Sequence, residues 1–161
     1  MQLFITSPDP FLCANYLDDK RLNKQIIECI QILSTALWMR DCNIAETLYS
    51  KGKIYLPTHE NHPICKNAKY HYLDILRFTG ACTYEYLCRF YKNHKCLYYL
   101  IILYDYFYLF EEKYPHKPFL NCTTNHKHIS DVYKAYKAEL HLKWSTDKVQ
   151  PKWSNRVTDN L

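Results

Sequence analysis

The spacing of apolar and polar positions predicts a succession of helices joined by short breaks. Residues 1–6 form an apolar, β-like opening that passes into Ser7-Pro8-Asp9-Pro10, a turn or helix-start signal. From Asp18 or Asp19 onward the spacing is helical, with Leu22, Ile26, Ile30, Leu33 and Leu37 on one face. Asp18 and Asp19 suit the N-cap and first turn, where a carboxylate meets unpaired amides and the positive end of the helix dipole. Segment 41–61 carries Gly52, Pro57 and mixed polarity and reads as irregular. A second long helix is expected from Pro63, a residue tolerated in a first turn, toward Tyr91, and a third over 95–112. The run Tyr114-Pro115-His116-Lys117-Pro118 breaks the chain, and a last helix is expected over 128–144. The expectation is an all-α, compact single-domain helical fold over 1–161, with 143–161 as a C-terminal tail packed on it.

Composition narrows the chemistry. The chain has 161 residues, 48% of them hydrophobic, enough to bury a core. Gly52 and Gly80 are its only glycines, so a Walker loop, a G-x-G-x-x-G turn and a nucleophile elbow are all excluded. Most nucleotide-cofactor enzymes are thereby disfavoured, and no cofactor is expected. A formal net charge of +5 suits a polyanionic partner, nucleic acid ahead of acidic protein. The eight cysteines include no C-x-x-C pair and fall mostly in apolar helical runs, which implies free thiols in a reducing intracellular compartment. The opening residues do not read as a signal peptide. The longest apolar stretch, 96–110, is about five residues short of a bilayer span, contains Asp105, and reads as a buried helix. Sixteen tyrosines among many asparagines and lysines fit an AT-rich genome. Those at 98, 99, 104, 106 and 108 read as packing residues with wet hydroxyls rather than base-stacking platforms.

Two polar clusters stand out. In Leu17-Asp18-Asp19-Lys20-Arg21-Leu22-Asn23-Lys24-Gln25, Lys20 and Lys24 lie one turn apart and Arg21 with Gln25 forms the adjacent row. Cations beside a helix N-terminus suit a phosphate; the ordinary alternative is a solvated first turn with Lys24 paired to Glu28. His59-Glu60-Asn61-His62-Pro63 enters the second long helix and, with Cys65, spells H-x-x-H-x-x-C. That spacing lacks an evident fourth ligand, so no metal is expected. A histidine touching phosphate or base is the functional reading of His59 and His62, and structural histidines are the ordinary one. His126 and His128 read as loop polarity. Ser34 and Thr35 sit in an apolar helix, and among the thiols only Cys65, near His62, comes close to the electropositive, partly exposed setting a reactive thiolate needs. An α-amine, with an ordinary pKa of about 7.7–8.0, is the remaining nucleophile. Gln2 is too bulky for the usual removal of the initiator, so the amine is that of Met1.

Met1-Gln2-Leu3-Phe4, Tyr16 through Gln25, Ile30-Gln31-Ile32-Leu33, Asn61-His62-Pro63, and the ending Ala135-Tyr136-Lys137 through Lys143-Trp144 to Pro151-Lys152-Trp153 resemble a family of small bacterial and phage proteins. These are the pyrimidine-dimer DNA glycosylases, or phage endonuclease V-like proteins. The resemblance implies a compact all-α domain, a monomer in the cytoplasm or host nucleus, acting on damaged duplex DNA as glycosylase and abasic-site lyase. In that chemistry an N-terminal amine attacks the sugar C1′ and a nearby carboxylate stabilises the sugar cation. Carried over, Met1 supplies the amine, Gln2, Lys20, Arg21 and Lys24 hold phosphates, and His59 and His62 sit at the cleft. The chain departs from the phage pattern at two points. Met1 persists, and the slot of the essential glutamate on the first helix holds Arg21. Asp19, then Asp18, is the expected replacement, with Glu28 as an outsider.

The missing glutamate keeps other readings open: a non-catalytic nucleic-acid or nucleotide binding module, an N-glycosidic hydrolase using Asp18 or Asp19, or a purely structural helical protein.

Overall fold

Two long antiparallel helices, α2 (Asp19–Arg40) and α4 (Pro63–Phe90), make the most extensive contact in the computed structural model, which describes residues 1–111, 114–115 and 117–156. Asp19 at the start of α2 meets Arg89 at the end of α4, while Thr35 near the end of α2 bonds Thr58 just before α4. Around this pair lie α1 (Pro10–Tyr16), α3 (Cys42–Ser50), α5 (Leu97–Tyr104), α6 (Tyr108–Glu111) and α7 (Val132–Thr146). Every regular element among the described residues is a helix, as the apolar spacing predicts. Leu22, Ile26, Ile30, Leu33 and Leu37 of α2 are fully buried, each worth about 1.5–3 kcal/mol of transfer energy.

Local chemistry sets the boundaries. Asp9 caps α1, its Oδ1 accepting from the Phe11 N–H at 2.8 Å, with Pro10 in the first turn. Asp131 caps α7 in the same way, and His62 Nδ1 accepts the Ile64 N–H at 3.1 Å to start α4. Asp18 occupies the N-cap position of α2 without capping it, because its carboxylate turns to other partners. Segment 41–61 is less irregular than its composition suggests. Asp41 caps Ile44, Ala45 and Leu48 are buried, and Gly52 at φ 67° makes the turn only after α3 is complete. The expected third helix is interrupted. Bonds from Asp105, Tyr106 and Phe107 to the carbonyls three residues back tighten the backbone and split α5 from α6. Its last residue, Glu112, the break residue His116 and tail residues 157–161 lie outside the described residues. Of the clustered tyrosines, Tyr99 packs on Tyr55 at 4.8 Å between centroids, whereas Tyr98, Tyr104 and Tyr108 are exposed, against the packing expectation.

Arg89, 1% exposed, ties three chain segments together. Its guanidinium donates to the carbonyls of Leu17 (2.8 Å) and Asn15 (3.0 Å) and to the carboxylates of Glu85 (2.8 Å) and Asp19 (3.1 Å). The chain after α7 closes over this knot. Ser154 donates to Asp19 through N–H and hydroxyl, and Asn155 donates to the Arg89 carbonyl. Trp144 and Trp153 meet edge to face at 5.1 Å. Arg89→Leu removes the cation while leaving two carboxylates and two carbonyls behind, so stability falls by about 3–5 kcal/mol, read from urea unfolding.

Candidate functional site

The opening segment places Met1. Residues 3–6 are buried, outside any helix, and pair with no strand among the described residues; within them the Ile5 N–H donates to the Leu3 carbonyl at 2.9 Å. Their polar backbone needs partners, and α2 supplies them through one side chain. Gln25, itself buried, accepts the Phe4 N–H on Oε1 at 3.0 Å and donates from Nε2 to the Gln2 carbonyl at 3.1 Å. Farther along, Cys13 receives the Ser7 N–H and donates back to its carbonyl. The Met1 side chain packs on the core, its Sδ 3.7 Å from Cys65 Sγ.

A cleft of about 560 Å³ opens beside this segment. Met1, Gln2, Lys20, Arg21, Lys24, Glu28 and His62 form one side of its lining, and Thr124, Lys143, Thr146 and Asp147 complete it from α7 and the chain around it. The Lys20 and Lys24 side chains are 69% and 67% exposed, and each ammonium group has one loose carboxylate partner. Lys24 lies 3.6 Å from Glu28 and Lys20 3.4 Å from Asp147. Burial pushes the His62 imidazole below its ordinary range, and the Met1 ammonium and His59 push the same way while Glu28 opposes them. His62 is therefore neutral at pH 7, consistent with Nδ1 accepting the Ile64 N–H.

The structure brings Met1, Gln2, Lys20, Lys24 and His62 together, and it changes the reading of the others. Asp18 is 1% exposed, takes the Trp144 indole N–H at 2.8 Å and Arg21 at 3.2 Å, and does not line the cleft. Asp19 is consumed by Arg89 and Ser154 on the far side of the helix start, and it too is absent from the lining. The acids expected to replace the missing glutamate are thus holding the fold, because α2 turns them toward buried arginine and tryptophan donors. Arg21 reaches the cleft wall already neutralised, with Asp147 at 2.6 Å and Asp18 at 3.2 Å, so it positions Asp147 rather than offering a free charge. His59 sits in the neighbouring shallow pocket formed by 57–62, at φ 53°, with Nδ1 2.8 Å from Thr58 Oγ1. Glu28, the outsider, does line the cleft with Met1 and His62, where it pairs with Lys24 at 3.6 Å. Burial pushes the Cys65 thiol up to about 11, which leaves it protonated and unreactive.

The α7 side of the cleft escaped sequence reasoning. Glu139, 1% exposed, accepts from His126 Nδ1 at 2.9 Å, from the Asn125 N–H at 3.1 Å, and from Gln2. Gln2 also donates to Thr124 Oγ1 at 3.3 Å, so the second residue is held from both sides. Lys143, which lines the cleft, stands one helical turn beyond Glu139, a spacing visible in the sequence. Burial alone would raise the Glu139 carboxyl; its hydrogen bonds outweigh that and hold it below the ordinary carboxylate range. Its stabilisation is therefore full above about pH 4.3 and is lost as pH falls through the lower, folded-state value. Glu139→Gln should cost about 2 kcal/mol at pH 7 in urea unfolding, and the difference should shrink as the pH is taken from 5 to 3.

No helix among the described residues is long and apolar enough to cross a membrane. No curated protein and no solved structure matches the chain. A family described as pyrimidine dimer DNA glycosylase matches residues 1–99, the stretch that carries the opening segment, both long helices and the Met1, Lys20, Lys24, Glu28 and His62 wall of the cleft. That match covers more than half of the chain, and the protein belongs to the pyrimidine dimer DNA glycosylase family.

Proposed function

We propose that the protein excises damaged pyrimidines from duplex DNA and then cleaves the abasic strand, with the Met1 amine as nucleophile. The observation that carries this reading is the convergence of Met1, Glu28, His62 and two exposed lysines on one cleft. The neutral amine attacks the sugar C1′, the glycosidic C–N bond breaks, and the base leaves with its electron pair and takes up a proton. The amine nitrogen, now bonded to C1′, gives up a proton as the C1′–O4′ bond breaks; the sugar ring opens, O4′ takes up a proton and becomes a hydroxyl, and C1′ is left as an imine. Loss of a C2′ proton then expels the 3′ phosphate by β-elimination. Glu28 stabilises the developing sugar cation and accepts protons, a role worth about 10²–10⁴ in rate for a positioned carboxylate. Of the two carboxylates on the wall, Asp147 is held by the buried Arg21 at 2.6 Å, whereas Glu28 meets the exposed Lys24 at 3.6 Å, a looser pair. Lys20, Lys24 and Lys143 hold backbone phosphates, Gln2 fixes the chain start, and His62 presents its ring to the lesion. The reaction as proposed needs no group from a second copy, and a monomer is the assembly proposed for it.

Borohydride added to protein and an abasic duplex should trap a covalent adduct that mass spectrometry maps to the Met1 nitrogen, and prior methylation of that nitrogen should abolish it. Glu28→Gln should bind the duplex and lose about a hundredfold or more in single-turnover cleavage, while Asp19→Asn should lower stability first. An intact protein that gives neither adduct nor cleavage overturns the proposal. Duplex binding without adduct would assign the scaffold to non-catalytic recognition.

A further inference from the structure

α4 carries a second basic feature that neither the core nor the cleft requires. Positions 62, 66, 69 and 70 fall on one stripe of the helix, at steps of four, seven and eight residues. His62 lies at the cleft and Lys66 is exposed. Beyond them Tyr114 and Lys117 fold back onto the same stripe. The Lys117 ammonium stands 4.0 Å from the Tyr70 ring centre, and Lys69 stands 5.2 Å from that ring and 5.2 Å from the ring of Tyr114. Tyr114 packs edge to face on Tyr70 at 5.7 Å and has the Arg40 guanidinium 5.8 Å from its own centre. The Tyr70 phenol is drawn below its ordinary range by a hydrogen bond with Lys117 and by Lys69.

Among the described residues neither Lys69 nor Lys117 has a carboxylate partner, whereas Arg77, two turns farther along α4, reaches Asp74 at 3.9 Å. Two ammonium groups gathered at one phenol repel each other. Attraction to ring faces offsets only part of that, so the cluster is complemented by an anion brought from outside. Seven residues of helix separate His62 from Lys69, about 10 Å at 1.5 Å per residue. That distance corresponds to about three base-pair steps of 3.4 Å along a strand.

We infer that Lys69, Tyr70 and Lys117 form a second phosphate-binding site, which holds the backbone of undamaged duplex about three base pairs from the nucleotide in the cleft. This rests on the DNA-repair reading above. The stripe through Lys66 joins the two sites, and the Tyr70 hydroxyl adds a polar contact between the two lysines.

The test is the salt dependence of binding to a duplex with a non-cleavable abasic analogue, flanked on each side by a full helical turn. Lys69→Ala/Lys117→Ala should bind about tenfold more weakly than the unaltered protein near physiological salt. Its log–log salt slope should be shallower by about 1.8, the counterion release of two phosphate contacts. Shortening the flank to about two base pairs, at each end in turn, should erase the difference between the two proteins on one side only. If the unaltered protein binds and forms the borohydride adduct while the two slopes coincide on the long duplex, this site is overturned and the repair reading stands. A cluster that takes free phosphate instead of DNA gives that same coincidence. If the unaltered protein binds no duplex, the repair reading falls and this inference falls with it.

Discussion

One carboxamide decides where the chain begins. Residues 3–6 are buried outside any helix, with no neighbouring strand among the described residues, a state that leaves backbone donors and acceptors in need of partners. Gln25 meets that need from both ends of its side chain, toward Phe4 and Gln2, and so fixes the opening residues against a rigid helix. Met1 then reaches the cleft wall as a consequence of this register. Glu139 strengthens the placement from the other side through Gln2. A nucleophile on a loose tail would have to be immobilised at the moment of reaction. The Met1 amine, in the role proposed for it, would be positioned before the reaction, which lowers the entropic cost of a bimolecular attack.

The distribution of charge follows from the same packing. Arg21 and Arg89, both buried, gather Asp18, Asp19, Glu85 and Asp147 around them. A buried guanidinium is tolerable only when paired, and these arginines have absorbed most of the acids near the start of α2. What remains facing the cleft is uneven: Lys20 and Lys24 extend into solvent, and Glu28 is the acid left beside Met1 and His62. The surface is cationic because the acids have been drawn inward. The chain's modest excess of basic residues becomes a local field by this segregation.

The helical periodicity of α2 and α4, the proline and histidine start of α4 and the break at 114–118 were legible from residue order, since spacing, caps and prolines act over a few residues. The helices α1 and α3 were not. Each is short: Ser7-Pro8-Asp9-Pro10 signalled a turn or helix start without fixing α1 itself, and the Asp41 cap of α3 was obscured by Gly52 and Pro57 downstream. The kink between α5 and α6 was hidden inside an unbroken apolar run.

For the site, the chain order alone determined that Met1, Lys20, Lys24 and His62 were the groups to watch, because residue type at a helix start carries its own electrostatics. Which carboxylate faces them was a tertiary decision. Asp18, Asp19 and Glu28 lie within three turns of one another on or beside α2, and nothing in their spacing ranks them. The ranking comes from Trp144 and Ser154, more than a hundred residues away, and from Arg89 at the far end of α4, which capture the first two and leave Glu28 to the cleft. Hydrogen-bond partners brought together by folding, rather than local sequence, set the role of each acid.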